Sequence, residues 1–281
     1  RLKIIAERLE KKIKSELENM LNNKRGDYEN FFKNFGLQLK YGVYQDFGAR
    51  KDAIKDLLLF YSSSEKKLST LKEYTGRMKA DQKYIYYACG DSVERVGKLP
   101  QTETVKEHGY EILYMTDPID EFAVRSLLKY DDKEFKSVSD DDLGLETEEE
   151  KKEAAKQVEE NKDMLAFMKD ALGGKVSSVI LSQKLKKHPV CLSTNGAISI
   201  EMEKVLNSLP NADNDKVKAQ RVLEINAKHP LFTKLCDLYK NDKDKLKEYT
   251  SLLYTQALLI EGVAIDDPVE FSNQICGLMI G

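Results

Sequence analysis

No apolar run in this 281-residue chain approaches the ~20 residues that a helix needs to cross a bilayer. Charge of one sign is not in excess either: Lys and Arg number 45 and Asp and Glu 48, a net charge of −3. A nucleic-acid binder usually carries a basic excess or stripe. Here the Lys-rich stretches (Lys11-Lys12, Lys66-Lys67, Lys184 to Lys187) are short and interleaved with acids or apolar residues. Neither nucleic acid nor membrane is an expected partner. Cysteine is scarce and scattered. Cys89, Cys191, Cys236 and Cys276 include no C-x-x-C pair, and His108, His188 and His229 lie near none of them in sequence. That spacing argues against a zinc or redox site and favours free thiols, with a reducing, cytoplasmic compartment as the natural setting.

The chemical motifs are missing too. There is no H-E-x-x-H and no G-x-S-x-G. Gly173-Gly174-Lys175-Val176 comes nearest to a phosphate loop, but Lys169 stands where the first glycine is needed and no Ser or Thr follows Lys175. A helix-to-strand turn explains it better. Asp266-Asp267 before Pro268 reads as a helix start, where negative charge favours the amino end. No nucleophile, base and oxyanion hole assemble, so the chain is not expected to be an enzyme and no metal or cofactor is expected in it.

What is present is a mixed α/β and α+β pattern over a chain long enough for two domains or more. Arg1 is not Met and falls inside a helical pattern, as expected of a piece of a longer protein. Residues 1–62 read as a three-helix connecting bundle without strands. Leu2, Ile5, Leu9, Ile13, Leu17 and Met20 form one stripe; Tyr28, Phe31, Phe32 and Phe35 face inward on a second helix; Ile54, Leu57, Leu58 and Tyr61 lie on a third, after a turn bracketed by Gly42 and Gly48. Residues 63–145 alternate helix and strand, which implies a small αβα module on a parallel sheet. Its helix at Thr70-Leu71-Lys72-Glu73 carries a capping-box signature. Strands are expected at Tyr84–Cys89, Tyr110–Met115 and Phe135–Val138.

Residues 146–162 are acidic and read as a linker or solvated helix between domains. Beyond them, residues 163–281 read as an α+β domain ending in a helical bundle: a helix from Met164 to Leu172, paired strands at Lys175–Leu181 and Val190–Ser193, a further strand at Arg221–Ile225, then helices.

Two stretches carry surplus apolar surface. Ile198, Met202, Val205, Leu206 and Leu209 form a helical stripe after a turn-forming Thr194-Asn195-Gly196 entry. Core packing and an adaptable, Met-containing binding face both fit it. Between Tyr249 and Val263, apolar residues occupy nearly the whole circumference of a helix, and Val269, Phe271, Ile275, Leu278 and Met279 follow on the next. Such helices suggest a bundle completed by a second copy, although an ordinary buried hairpin also fits.

Several runs resemble the heat-shock protein 90 family in its bacterial, high-temperature protein G form. They are Phe31-Phe32-Lys33-Asn34-Phe35-Gly36 with Leu39-Lys40-Tyr41-Gly42-Val43, the stretch Leu57 to Ser62, Leu71-Lys72-Glu73-Tyr74 with Arg77-Met78-Lys79, and Gln82 to Tyr87. Asp117-Pro118-Ile119-Asp120-Glu121-Phe122, Glu224-Ile225-Asn226 before His229-Pro230, and Gln256-Ala257-Leu258-Leu259 continue the likeness in order. The resemblance implies the end of a middle segment followed by a C-terminal dimerisation domain. The site for ATP and magnesium would then lie in a part of the parent before Arg1.

The resemblance also implies a homodimeric chaperone that binds unfolded or partly folded client proteins, with client contacts at Glu121, Phe122, Ile198, Met202, Val205 and Leu206. Bacterial members often carry Trp where Phe122 stands; this chain has no Trp, so an apolar face remains without an indole donor. Dimer contacts are expected at Tyr249, Leu252, Leu253, Leu259, Ile260, Ile275 and Leu278. A scaffold that dimerises and couples, without client binding of its own, is the rival expectation.

Overall fold

The computed structural model describes residues 2–209 and 216–280, which form two compact units. Unit one comprises residues 1–97 and 110–136; unit two comprises 98–109 and 137–281. Each has its own apolar core.

Unit one opens with helices α1 (Leu2–Asn23) and α2 (Arg25–Tyr44), then a single turn, α3 (Lys51–Ile54). Strands β1 (Leu59–Ser62) and β2 (Leu68–Thr70) follow, then α4 (Leu71–Arg77), β3 (Ile85–Cys89) and α5 (Val93–Val96). The chain leaves for α6 (Glu103–Glu107) in unit two and returns with β4 (Ile112–Met115), α7 (Asp120–Leu127), β5 (Lys129–Tyr130) and β6 (Lys133–Ser137).

The strand in the first 62 residues corrects the all-helical reading. Leu58 to Ser62 is not helical: after a 3₁₀ turn at Lys55–Leu57 the chain extends, and β1 pairs with both β2 and β4. The sheet order is β2-β1-β4-β3-β6-β5. Only β3 and β4 are paired parallel among the registers described, whereas β1–β2, β1–β4 and β5–β6 are antiparallel, so the sheet is mixed rather than parallel. Connections of a few residues make hairpins of β1–β2 and β5–β6, and the longer path through α5 and α6 allows the parallel pairing of β3 with β4.

Two further readings change. Gly42 lies inside α2 rather than at a turn; a Cβ there would come within 2.9 Å of Ile54 Cδ1, so the glycine admits α3. Tyr28 and Phe32 are buried as expected, but Phe31 is half-buried and Phe35 is 54% exposed. On α1, Ile5, Leu9 and Ile13 are also more than half exposed, while Leu17 and Met20 pack on the core; the side chain of Leu2 is outside the described set. The capping box at Thr70 is formed in both directions, Glu73 N–H to Thr70 Oγ1 at 3.0 Å and Thr70 N–H to Glu73 Oε2 at 2.8 Å.

Unit two holds α6, α8 (Glu148–Ala171), β7 (Ser178–Leu181), β8 (Val190–Asn195), α9 (Ile200–Asn207), β9 (Gln220–Ile225), α10 (Pro230–Asn241), α11 (Lys243–Ile260) and α12 (Pro268–Ile280). Of the linker and the solvated helix expected for the acidic stretch, the helix forms. It is the exposed first half of α8, started by a Thr147–Glu150 capping box and anchored at its far end by Met164, Leu165 and Met168. Strands β7 and β8 do not pair with each other: β9 lies between them, parallel to β7 and antiparallel to β8. Apolar side chains of α8, α10 and α11 form the core with those of the sheet.

Candidate interaction surfaces

Glu121 and Phe122 lie in the first turn of α7, and both are buried within unit one. Arg125, one turn on, donates through Nε and Nη2 to Glu121 Oε1 at 3.1 and 2.9 Å, and Tyr87 Oη donates to the same oxygen at 3.4 Å. Phe122 meets the ring of Tyr44 edge-on, with centroids 5.6 Å apart. The start of the helix is pinned from α2. Lys40, with 4% of its side chain exposed, reaches Asp117 Oδ2 at 2.7 Å and Asp120 Oδ1 at 2.6 Å. Its ammonium also lies over the rings of Phe32 and Phe60, at 5.5 and 5.0 Å from their centroids. Burial raises the Asp120 carboxyl above its ordinary range despite the pull of Lys40.

The α9 stripe is docked rather than free. Ser199 caps the helix through Oγ to Met202 N–H at 3.1 Å. Met202 is buried with Ile200, Ile198 packs on the core of unit two, and Val205 and Leu206 are half-buried; Leu209 remains 54% exposed. Polar side chains complete the docking. Glu203 accepts from Arg221 Nη2 at 2.6 Å and from Ala219 N–H at 2.8 Å, while Arg221 also donates to Tyr254 Oη at 3.1 Å. Lys204 Nζ donates to the Glu261 carbonyl at 2.6 Å, and Asn207 bonds Val217 through both amide atoms. Sequence reading missed Glu203, Lys204, Arg221 and Glu261. Their partners lie 16 to 160 residues away apart from the Glu201–Lys204 pair, so no local spacing announces them.

Of the residues expected at a dimer contact, Leu252 and Leu253 are buried inside unit two itself, and Tyr249, Ile260 and Ile275 are half-buried. Leu259 and Leu278 are 44% and 41% exposed. Helix α12 carries one charged residue, Glu270, in thirteen, yet buries none of its side chains; Val269, Met279 and Ile280 are 70%, 79% and 88% exposed. A shallow groove lined by Tyr249, Leu252, Gln274 and Leu278 separates α11 from α12.

The interior of unit two also holds a charge pair, Lys184 with Glu224 at 2.9 Å, 2% and 1% exposed. Burial works against the ammonium, but Glu224 holds its pKa above the usual lysine value. The Gly173-Gly174 turn has positive φ at both glycines (56° and 82°) and leads out of α8 toward β7. A phosphate cradle runs the other way, from strand into the amino end of a helix, so these residues do not fit ATP. Among the described residues no cluster of His, Cys, Asp or Glu could hold a metal ion, and no helix is long and apolar enough to cross a membrane.

The family model of the Hsp90 protein matches residues 1–280. This chain belongs to the Hsp90 family. Similar Hsp90 proteins include the chaperone protein HtpG of Clostridium acetobutylicum and that of Alkaliphilus metalliredigens, each 59% identical over 278 residues. The HtpG of Bacillus subtilis is 56% identical over 279 residues. Each alignment covers 99% of this chain and 44% of the relative, so the chain spans less than half the length of the Hsp90 proteins it matches.

Proposed function

We propose that this chain is the dimerising, client-contacting part of an ATP-dependent, cytoplasmic chaperone. In this reading unit one belongs to the middle segment of the parent and unit two to its C-terminal domain. The ATP and magnesium site lies elsewhere in the parent, and this part is not itself an enzyme. The relatives are named as chaperones, which supports the activity; the four free cysteines suit a reducing compartment.

The observation that carries the proposal is α12, an almost uncharged helix with no buried side chain. A second copy that brings its own α11 and α12 would cover Leu259, Leu278, Met279 and Ile280 in a twofold helical bundle. Sedimentation equilibrium tests it: the mass should approach twice 32.1 kDa at high concentration and return to one chain in Leu259→Asp/Leu278→Asp. Both residues are exposed in the single chain, so the variant keeps its fold. A native chain that stays monomeric at every concentration sinks the reading.

Client binding is read at the half-buried side of α9, with Val205 and Leu206 within reach of a partner's apolar surface, at about 25 cal/mol per Å² buried. Burial of Ile200 and Met202 favours the second reading, a scaffold whose α9 is purely structural. Val205→Glu/Leu206→Glu separates them. Weakened suppression of client aggregation with unchanged folding and mass supports client contact; unchanged suppression supports the scaffold.

A further inference from the structure

Helix α7 ends on a residue that its backbone conformation disfavours. Leu128 caps the helix with φ 65° and ψ −49°, a tight left-handed turn that L side chains rarely adopt because Cβ crowds the following carbonyl. Backbone bonds on both sides hold it there: Leu128 N–H donates to Val124 O at 3.1 Å, and Leu128 O accepts from Phe135 N–H of β6 at 3.5 Å. Where α6, α8 and α11 end, the residue that turns the chain with positive φ is a glycine, Gly109, Gly173 or Gly262. Besides Leu128, the non-glycine residues with positive φ among those described are Lys66 and Asp131, both in hairpin turns. Of these three, Leu128 alone brings a large apolar side chain.

That side chain gains nothing inside the chain to offset the strain. It takes no part in the core of unit one and is 68% exposed. Among the described residues from 45 to 157 it is the one large hydrophobic side chain that stands exposed. A glycine would remove both the strain and the exposed surface, and the chain carries leucine instead. A strained residue held in place by the surrounding fold argues for use rather than packing. Elsewhere on α7 the apolar groups turn inward. Glu121 and Phe122, the client contacts expected on this helix, are buried, Glu121 with Arg125 and Phe122 against Tyr44. An exposed leucine covers roughly 100 Å² of apolar surface, far less than the ~1,200 Å² that a stable protein–protein interface buries. A second copy is therefore a poor occupant. A short apolar stretch of a non-native polypeptide, weakly held and readily exchanged, is a good one.

We propose that Leu128 is a client-contact residue of unit one, an exposed apolar peg for unfolded chains that does what the buried Phe122 cannot. This rests on the client reading above and adds to it a contact in unit one besides that of α9 in unit two.

Three variants separate the roles of the residue. Leu128→Gly relieves the backbone and removes the apolar group, Leu128→Ala keeps the strain and removes the group, and Leu128→Met keeps both. The probe is a permanently unfolded protein, reduced and carboxymethylated lactalbumin with a fluorescent label, titrated by anisotropy. It should bind the native chain and Leu128→Met alike, and Leu128→Gly and Leu128→Ala about tenfold more weakly. In urea melts Leu128→Gly should unfold about fivefold less readily than Leu128→Ala, so that weaker binding cannot stem from a weaker fold. Equal affinity in all four chains overturns the proposal and leaves the client reading at α9 intact. No binding by the native chain overturns both. Weaker binding in Leu128→Ala alone would report a folding defect and also sinks it. So does a fall in the sedimentation mass of both Leu128→Gly and Leu128→Ala, which would assign Leu128 to a contact between copies.

Discussion

A lysine with 2% of its side chain exposed survives in a core only beside an anion that is equally enclosed, and Glu224 is 1% exposed. Ser182 Oγ donates to the other Glu224 oxygen at 2.6 Å, and Lys184 also donates to the Asp140 carbonyl. Lys184→Met strands Glu224 without its cation. The expected loss is about 3–5 kcal/mol in urea unfolding, with a much smaller loss in Lys184→Met/Glu224→Gln, where neither charge remains. Glu261 gives a pH-dependent counterpart. A carboxyl raised from 4.5 to about 7 in the folded chain binds its proton more tightly there than when unfolded, so its share of stability is complete below 4.5 and is lost as pH rises through 7. Glu261→Gln should therefore gain on the native chain by about 3 kcal/mol between pH 4.5 and 8. Parallel unfolding curves at those two pH values would refute it. None of these residues is marked in the sequence: Lys184 reads as one more charge in a lysine run, and Glu261 as the polar end of a helix.

At the scale of elements, legibility followed locality. Thr70-x-x-Glu73 announces the start of α4 because the cap is made within three residues. Thr147-x-x-Glu150 is the same device, hidden in an acidic run that looks like a linker. The helix it opens has no buried residue among those described before Met164, so the cap and charge near the amino end maintain the first half. Thr147→Ala removes about 1 kcal/mol of local stability. It should speed hydrogen exchange over 148–156 while leaving the global unfolding midpoint almost unmoved; a midpoint shift of equal size would mean that the first half of α8 is part of the cooperative core. Strand β1 was illegible for the opposite reason. Its run of Leu59, Phe60 and Tyr61 has no period of its own, and only pairing to Leu68–Thr70 and to Leu113–Tyr114 makes it a strand. Gly42 likewise looks like a helix stop until Ile54 is seen against it. Of the α9 stripe, the periodicity gave the helix and its apolar side, but the ion pair to Arg221 that docks it lies 18 residues away in sequence.

For the molecule as a whole, the terminal helices decide whether stability is a property of one chain or of two. Leu246, Leu253, Tyr254, Ala257 and Leu258 commit one side of α11 to the core of unit two. Leu259 on α11 and nearly all of α12 are left for something else. If a second copy fills that role, unfolding of unit two is coupled to dissociation and follows mass action. A hundredfold dilution then costs about 2.7 kcal/mol per dimer, seen as a Tm that falls with concentration. Leu259→Asp/Leu278→Asp should weaken association on the order of a hundredfold. It should also make the Tm independent of concentration over the same range, and leave the amides of α12 unprotected while those of β9 stay protected. The two readouts must move together, because both report the same buried face. A Tm that still falls with dilution in the double variant would place the dimer contact on another surface. A concentration-independent Tm in the native chain, with α12 protected, would mean that α12 folds back onto its own unit.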